Sequence, residues 1–214
     1  MKSFLNKIRM PDKSGSTLNK VLFCLLFTVL GLALGVLQKW LDNTAVNELP
    51  LFLQQLDITN FFGRIAIWIL LGTIISVYSK TPQKAAINTF LFLISMVSGY
   101  YLYCNFVLGF LPVSYMMIWF VASFISFFLS YICWYAKGKG IVAIIISSLS
   151  LGALFSQAFI ITQGIYYTYI LEVITFAIGL VILFRKPKEF LIEVLLSVVF
   201  GVAFQYLFSY LSLY

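Results

Sequence analysis

Apolar positions in this chain do not alternate with polar ones; they continue for about twenty residues at a time. Seven such runs can be read, at 18–40, 61–79, 85–108, 114–136, 141–161, 166–184 and 190–211. A helix needs roughly 20 apolar residues to cross the hydrocarbon core of a bilayer, and each run is long enough. The alternation of a membrane strand is missing. Hydrocarbon also leaves free backbone groups unsatisfied, which favours helices. The pattern predicts an all-α polytopic membrane protein. It would have a basic N-terminal segment over 1–17 and a single domain over 18–214, a bundle of seven transmembrane helices.

The breaks between runs carry the charge. Lys2, Lys7, Arg9, Lys13 and Lys20 precede or open the first run. Lys80 and Lys84 separate the second from the third, Lys137 and Lys139 the fourth from the fifth, and Arg185, Lys186 and Lys188 the sixth from the seventh. The alternate breaks, "LDNTAVNELPLFLQQLDITN", "GFLPV" and "TQGIY", hold no Lys or Arg. Lys and Arg accumulate on the cytoplasmic side, so the N-terminus is expected in the cytoplasm and the C-terminus outside. In "KGKG", Gly138 and Gly140 supply a tight turn between Lys137 and Lys139. The first run exceeds a signal-peptide core and no small-residue cleavage site follows it, so it is expected to be retained.

The remaining segments are short. In "MKSFLNKIRM", Phe4, Leu5 and Ile8 fall at helical spacing among basic residues, which fits either a helix on the inner membrane surface or a disordered basic tail. "PDKSGST" reads as a linker. "ELPLFLQQLDITN" predicts a short helix in the outer interface, begun at Pro50, acting as a linker or a lid.

Small residues recur in the runs that leave the basic side. Lys20 is followed by Gly31 and Gly35, Lys84 by Ser95 and Gly99, Lys137 by Ser148 and Gly152, and Lys186 by Ser197 and Gly201. Small residues four apart share a helix face and let another backbone approach closely. Their common depth predicts that these four helices meet one another or equivalent neighbours. Parallel repeats of this kind rock in some transporters; close packing alone explains them too.

Charge inside an apolar run is costly and must be accounted for. At about 1.5 Å per residue, Arg64 sits about 24 Å above Lys80 and Glu172 about 20 Å above Arg185. The two share a depth and are expected to pair, as a structural ion pair or as part of a ligand site. Gln38, Lys39, Asn105, Gln157 and Gln205 fall at the same level, near Tyr100, Tyr101 and Tyr103. The polar groups thus form an outer crown above a dry interior, with Arg64, Glu172, Asn105, Gln157 and Tyr101 the candidate ligand contacts. Trp40 and Trp119 fit an outer aromatic belt and Trp134 an inner one.

Composition narrows the function. The chain is 62% hydrophobic and only 10% charged, where a soluble domain carries about 25% charge, so the bilayer is its expected partner. The net charge of +7 is split into short clusters between apolar runs, which suits anionic headgroups rather than nucleic acid. There is no His, which removes the commonest general base and transition-metal ligand. Cys24, Cys104 and Cys133 lie inside apolar runs and read as buried thiols. Glu189 and Glu193, four apart beside Lys186 and Lys188, read as a solvated, ion-paired helix start. No nucleophile elbow, Walker motif or dinucleotide fingerprint occurs. No enzyme, cofactor or metal is expected.

The blocks "SGYYLY", "SYMMIWF" and "CWYAKGKG" resemble those of an uncharacterised family of small polytopic bacterial membrane proteins. The resemblance implies a multi-pass protein of the cell (inner) membrane and carries no activity. "GLALG" in the first run is similar to the substrate-binding subunits of energy-coupling-factor vitamin transporters. Those have six spans and an alanine-based packing motif, against seven runs and Gly31/Gly35 here. Two functions follow as expectations. One is a transporter-like or solute-binding subunit with an outward-facing polar site. The other is an accessory protein that packs against other membrane subunits and binds nothing small.

Overall fold

A computed structural model describes residues 2–12, 14, 16–161 and 164–210. Lys13, residues 162 and 163 of the "TQGIY" connection and the last residue of the seventh run lie outside the described residues. The chain is helical as expected. Five helices are long and apolar enough to cross a membrane: α2 (Thr17–Asp42), α6 (Pro82–Phe106), α7 (Val113–Cys133, continued by a 3-10 turn at Trp134–Lys137), α8 (Ile141–Ala158) and α10 (Pro187–Tyr210). The second and sixth runs give shorter helices, α5 (Ile65–Tyr78) and α9 (Ile170–Leu183), of 14 residues each. Each is about 21 Å long. Short helices α1 (Lys2–Ile8), α3 (Leu51–Gln55) and α4 (Ile58–Phe61), with a 3-10 turn at Val46–Glu48, complete the helical elements among the described residues.

The second run was expected as one helix and is broken. α4 ends at Phe61, the chain turns through Phe62 and Gly63, and Arg64 becomes the N-cap of α5 with extended backbone. Apolar residues continue through the break, so hydropathy alone conceals it. Around the fifth connection the runs are also trimmed. Phe159–Ile161 and Ile165–Tyr167 form a two-stranded antiparallel hairpin, β1 and β2, with Ile161 opposite Ile165. These β-branched and aromatic residues favour extended backbone. Gln205 of α10 holds the hairpin. Its side-chain amide donates to the Phe159 carbonyl, and its carbonyl accepts the Ile161 N–H.

The small-residue faces meet in two pairs. α2 lies along α6, and α8 along α10. A Cβ added at Gly31 would strike the Phe92 carbonyl, at Gly35 that of Met96, and at Gly99 that of Leu32. Contacts that advance together along both helices make α2 and α6 parallel. In the second pair, a Cβ at Gly152 would lie 2.7 Å from that of Phe200 and 3.0 Å from the Ser197 carbonyl. Ser148 and Ser197 are fully buried and Ser95 nearly so.

α5 runs antiparallel to α2. At one end Gly63 and Asp42 line the same cavity, and at the other Lys80 meets Asp12 and Ser14. α9 follows α5, with Glu172 beside Arg64 at the first end and Arg185 beside the 134–140 turn at the second. Both short helices therefore cross the full depth of the bundle. α5 is central, packed on α6, α7, α8 and α9. The outward faces of α2 and α7, including Leu25, Val29, Ile118, Val121 and Phe128, are exposed and apolar, as a lipid-facing surface requires.

The N-terminal segment is neither a free tail nor a surface helix alone. Ile8 at the end of α1 is buried with Trp134 and Tyr135, and its carbonyl accepts the Lys139 N–H at 2.8 Å. The Arg9 guanidinium donates to the carbonyls of Trp134 (2.5 Å) and Val77 (2.8 Å) and lies 4.1 Å over the Trp134 ring. Trp134 Nε1 donates to the Ser79 carbonyl. Arg9 thereby satisfies one of the unpaired terminal carbonyls of α5. Gly140, at φ +81°, makes the bend expected of "KGKG".

Candidate functional site

Arg64, at the mouth of α5, holds two carboxylates. Its Nε donates to Oε1 of Glu172, Nη2 lies 3.5 Å from Oε2, and Nη1 donates to Oδ2 of Asp57 at 2.5 Å. Its guanidinium also stacks 4.0 Å over the Tyr169 ring. Glu172 is 2% exposed in the first turn of α9, where the helix N-terminus favours a negative charge. Asp57 has a left-handed backbone, φ 53°, and accepts from Asn60 at 2.7 Å. It sits in the connection expected to act as a linker or a lid, outside the apolar runs in which charge was sought, so this third partner was missed.

The other sequence candidates do not join this cluster. Asn105 is exposed near the end of α6. Gln157 lies at the foot of the hairpin, its backbone carbonyl accepting from the Thr168 hydroxyl at 2.6 Å. Tyr101 is buried and lines a separate, partly open cavity of about 90 Å³ on the other side of the α5 entrance.

That cavity lies between the C-terminal halves of α2 and α6 and the first turns of α5 and α7. Trp68, Tyr100, Tyr101, Tyr115 and Trp119 form its aromatic walls, with Gln38 and Asp42 as its polar groups. The Gln38 Oε1 atom and the Tyr101 hydroxyl are buried without a hydrogen-bond partner among the described residues. Such atoms lose water on folding and cost roughly 1–3 kcal/mol unless something meets them. Asp42 stands at the mouth, 43% exposed, paired with Lys39 at 2.6 Å and accepting from Tyr100 Oη at 3.1 Å. Lys39 lies 5.1 Å over the outside of the Tyr100 ring. Trp68 is fixed by an Nε1 bond to the Phe62 carbonyl at 2.8 Å, so the break before α5 also sets one wall of the cavity.

A second buried ion pair lies at the opposite end of α9. Arg185 Nε is 2.8 Å from Oε2 of Glu193, and Glu193 is fully buried. The guanidinium also donates to the carbonyls of Ala136 and Gly138. This corrects the reading of Glu193 as solvated. Glu189 is indeed half-exposed, 3.9 Å from Arg185, but one turn further on the same face turns into the contact between α10 and α8.

Comparison with known proteins gives no family model, no curated protein and no solved structure that matches this chain. Function therefore has to be argued from the site itself.

Proposed function

We propose that this is a seven-span, solute-binding or transporter-like protein of the bacterial inner membrane. Its N-terminus lies in the cytoplasm, and it takes a small ammonium-bearing solute from outside into the aromatic cavity. The orientation is supported by the absence of Lys and Arg from the three alternate connections. The seven-span count is supported by α5 and α9 reaching from one polar end of the bundle to the other.

The observation that carries the ligand assignment is the pair of unpartnered buried atoms, Gln38 Oε1 and Tyr101 Oη, within an aromatic enclosure that has a carboxylate at its mouth. An ammonium group donates hydrogen bonds to such acceptors, is attracted by aromatic faces, and meets at the mouth the Asp42 carboxylate that balances Lys39. The volume of about 90 Å³ is well under the roughly 300–1,000 Å³ of a drug-sized site, so the solute has only a few heavy atoms. In this reading Arg64 and Glu172 are a strut behind the cavity wall, not contacts.

The accessory-protein reading retains one observation in its favour: Arg64 and Glu172 satisfy each other. Its other expectation, small-residue faces turned to lipid, is not met, because those faces are buried in the two helix pairs. The deciding experiment is a thermal-shift screen of the purified protein with ethanolamine and methylammonium, which carry N–H donors, against ethylene glycol and acetate. An ammonium compound at 100 times its Kd stabilises by about 2.7 kcal/mol. The shift should vanish in Tyr101→Phe and Asp42→Asn and persist in Glu172→Gln. Stabilisation by acetate instead, or a response indifferent to Tyr101 and Asp42, overturns the assignment.

A further inference from the structure

A second, larger space opens at the basic end of the bundle. Because α2 packs along α6, the inner half of α5 stands away from it and leaves a groove of about 420 Å³. Phe23, Phe27, Ile74, Ile75 and Ile87 give it apolar walls, and Lys20, Lys80 and Lys84 stand at its mouth with Ser14 and Asn19. From Lys20 to Phe27 the wall descends about 10 Å, a third of the hydrocarbon thickness. The apolar part thus lies at acyl-chain depth and the lysines at headgroup depth.

Only part of the charge at the mouth is neutralised among the described residues. Lys80 is 3.5 Å from Asp12 and 3.0 Å from the Ser14 hydroxyl. Lys20 and Lys84 have no carboxylate partner among the described residues, and Lys84 is half-buried. Phe23, Tyr78 and Ile87 along the groove are exposed, so the space is continuous with a lipid-facing surface.

We propose that this groove binds an anionic phospholipid from the leaflet on the basic side. Its phosphate sits between Lys20 and Lys84, and one acyl chain begins its course between α2 and α5. An apolar slot beneath unpaired lysines matches both parts of such a lipid. A water-soluble anion has no use for the slot, and a zwitterionic lipid leaves the lysines' net charge uncompensated. The proposal is independent of the aromatic cavity, which lies at the other end of the bundle.

The test is native mass spectrometry of the full chain in detergent with equal phosphatidylglycerol and phosphatidylcholine. Phosphatidylglycerol should be retained with about tenfold preference or more. The preference should fall to near parity in Lys20→Gln/Lys84→Gln and survive in Lys186→Gln/Lys188→Gln, which removes equal charge from the exposed start of α10 on the same side. Ile87→Trp, an exposed wall position that places a ring in the slot, should lower retention of phosphatidylglycerol with all lysines intact. Equal loss in the two lysine pairs means general surface charge and overturns the site. So does undiminished retention in Ile87→Trp, or displacement of the lipid by soluble glycerol phosphate.

Discussion

Arg64 and Glu172 stand 108 positions apart in the chain and are joined at the entrance of two short helices, with Asp57 on the guanidinium's remaining edge. The arrangement is asymmetric. Without Glu172, Arg64 keeps Asp57; without Arg64, Glu172 is left buried with its charge unpaired. Breaking a buried pair typically costs about 3–5 kcal/mol, and replacing both partners by apolar groups costs far less. Arg64→Leu should therefore destabilise by about 3 kcal/mol or more, Glu172→Leu by less, and the double variant by less than the sum. Denaturant unfolding in detergent measures all three. Additive losses would mean that the two side chains do not act as a pair.

The glycines provide a sharper test of packing because neighbouring positions differ in space. A Cβ at Gly35 would enter the Met96 carbonyl, whereas at Gly72 it would meet only Thr89 Cγ2 at an ordinary 3.5 Å. Gly35→Ala should force α2 away from α6 and cost about 1–3 kcal/mol. Gly72→Ala should be neutral or stabilise by up to about 1 kcal/mol through helix propensity. Both are read from melting temperatures of the purified variants. Equal effects would remove the close α2–α6 contact as the reason for Gly35.

Much of this was legible in the sequence, and the parts that were not have physical causes. Long apolar runs betray helices because lipid leaves no alternative, and Arg64 and Glu172 stood out because hydrocarbon makes lone charges costly. The regular spacing of Gly31, Gly35, Ser95 and Gly99 was visible as well. What stayed hidden depends on where a side chain turns once the helices have packed. Arg185 and Glu193 lie in a charge-rich stretch, and nothing local separates a solvated carboxylate from one folded under α8. Phe61 and Phe62 lead almost directly into the apolar residues from Ile65 onward, while the backbone breaks between them. Gln38 belonged to the expected crown, but its enclosure together with Asp42 depends on α7 bringing Tyr115 and Trp119 across from them.

Arg9 offers a test of the basic end of the bundle. Its planar fork reaches the Trp134 and Val77 carbonyls at once, which a lysine's single ammonium cannot reproduce. Arg9→Lys should therefore behave like Arg9→Ala. Both should raise hydrogen exchange at the backbone of 134–140 and at the C-terminal end of α5, leaving the C-terminal end of α2 unchanged. Full protection in Arg9→Lys would reduce the contact to simple charge.

The path of α5 and α9 decides the orientation of everything else. Each helix is about 21 Å long, short of the roughly 30 Å hydrocarbon core, and a reading by length alone would leave them out. Their ends argue otherwise: Arg64 and Glu172 mark one face of the bundle, and Arg9 and Arg185 tie the far ends to the other. In the proposed seven-span arrangement, arginines at the ends of short helices extend to the interface and a locally thinner bilayer accommodates the mismatch. In a chain freed of its native cysteines, single cysteines at Thr44 and Gly109 should react with an impermeant maleimide added outside intact cells. Those at Ser14, Lys80 and Lys188 should react only after the membrane is opened. If α5 did not cross, Thr44 and Lys80 would label from the same side. The aromatic cavity and the lysine groove, now at opposite ends of α5, would then open to the same compartment.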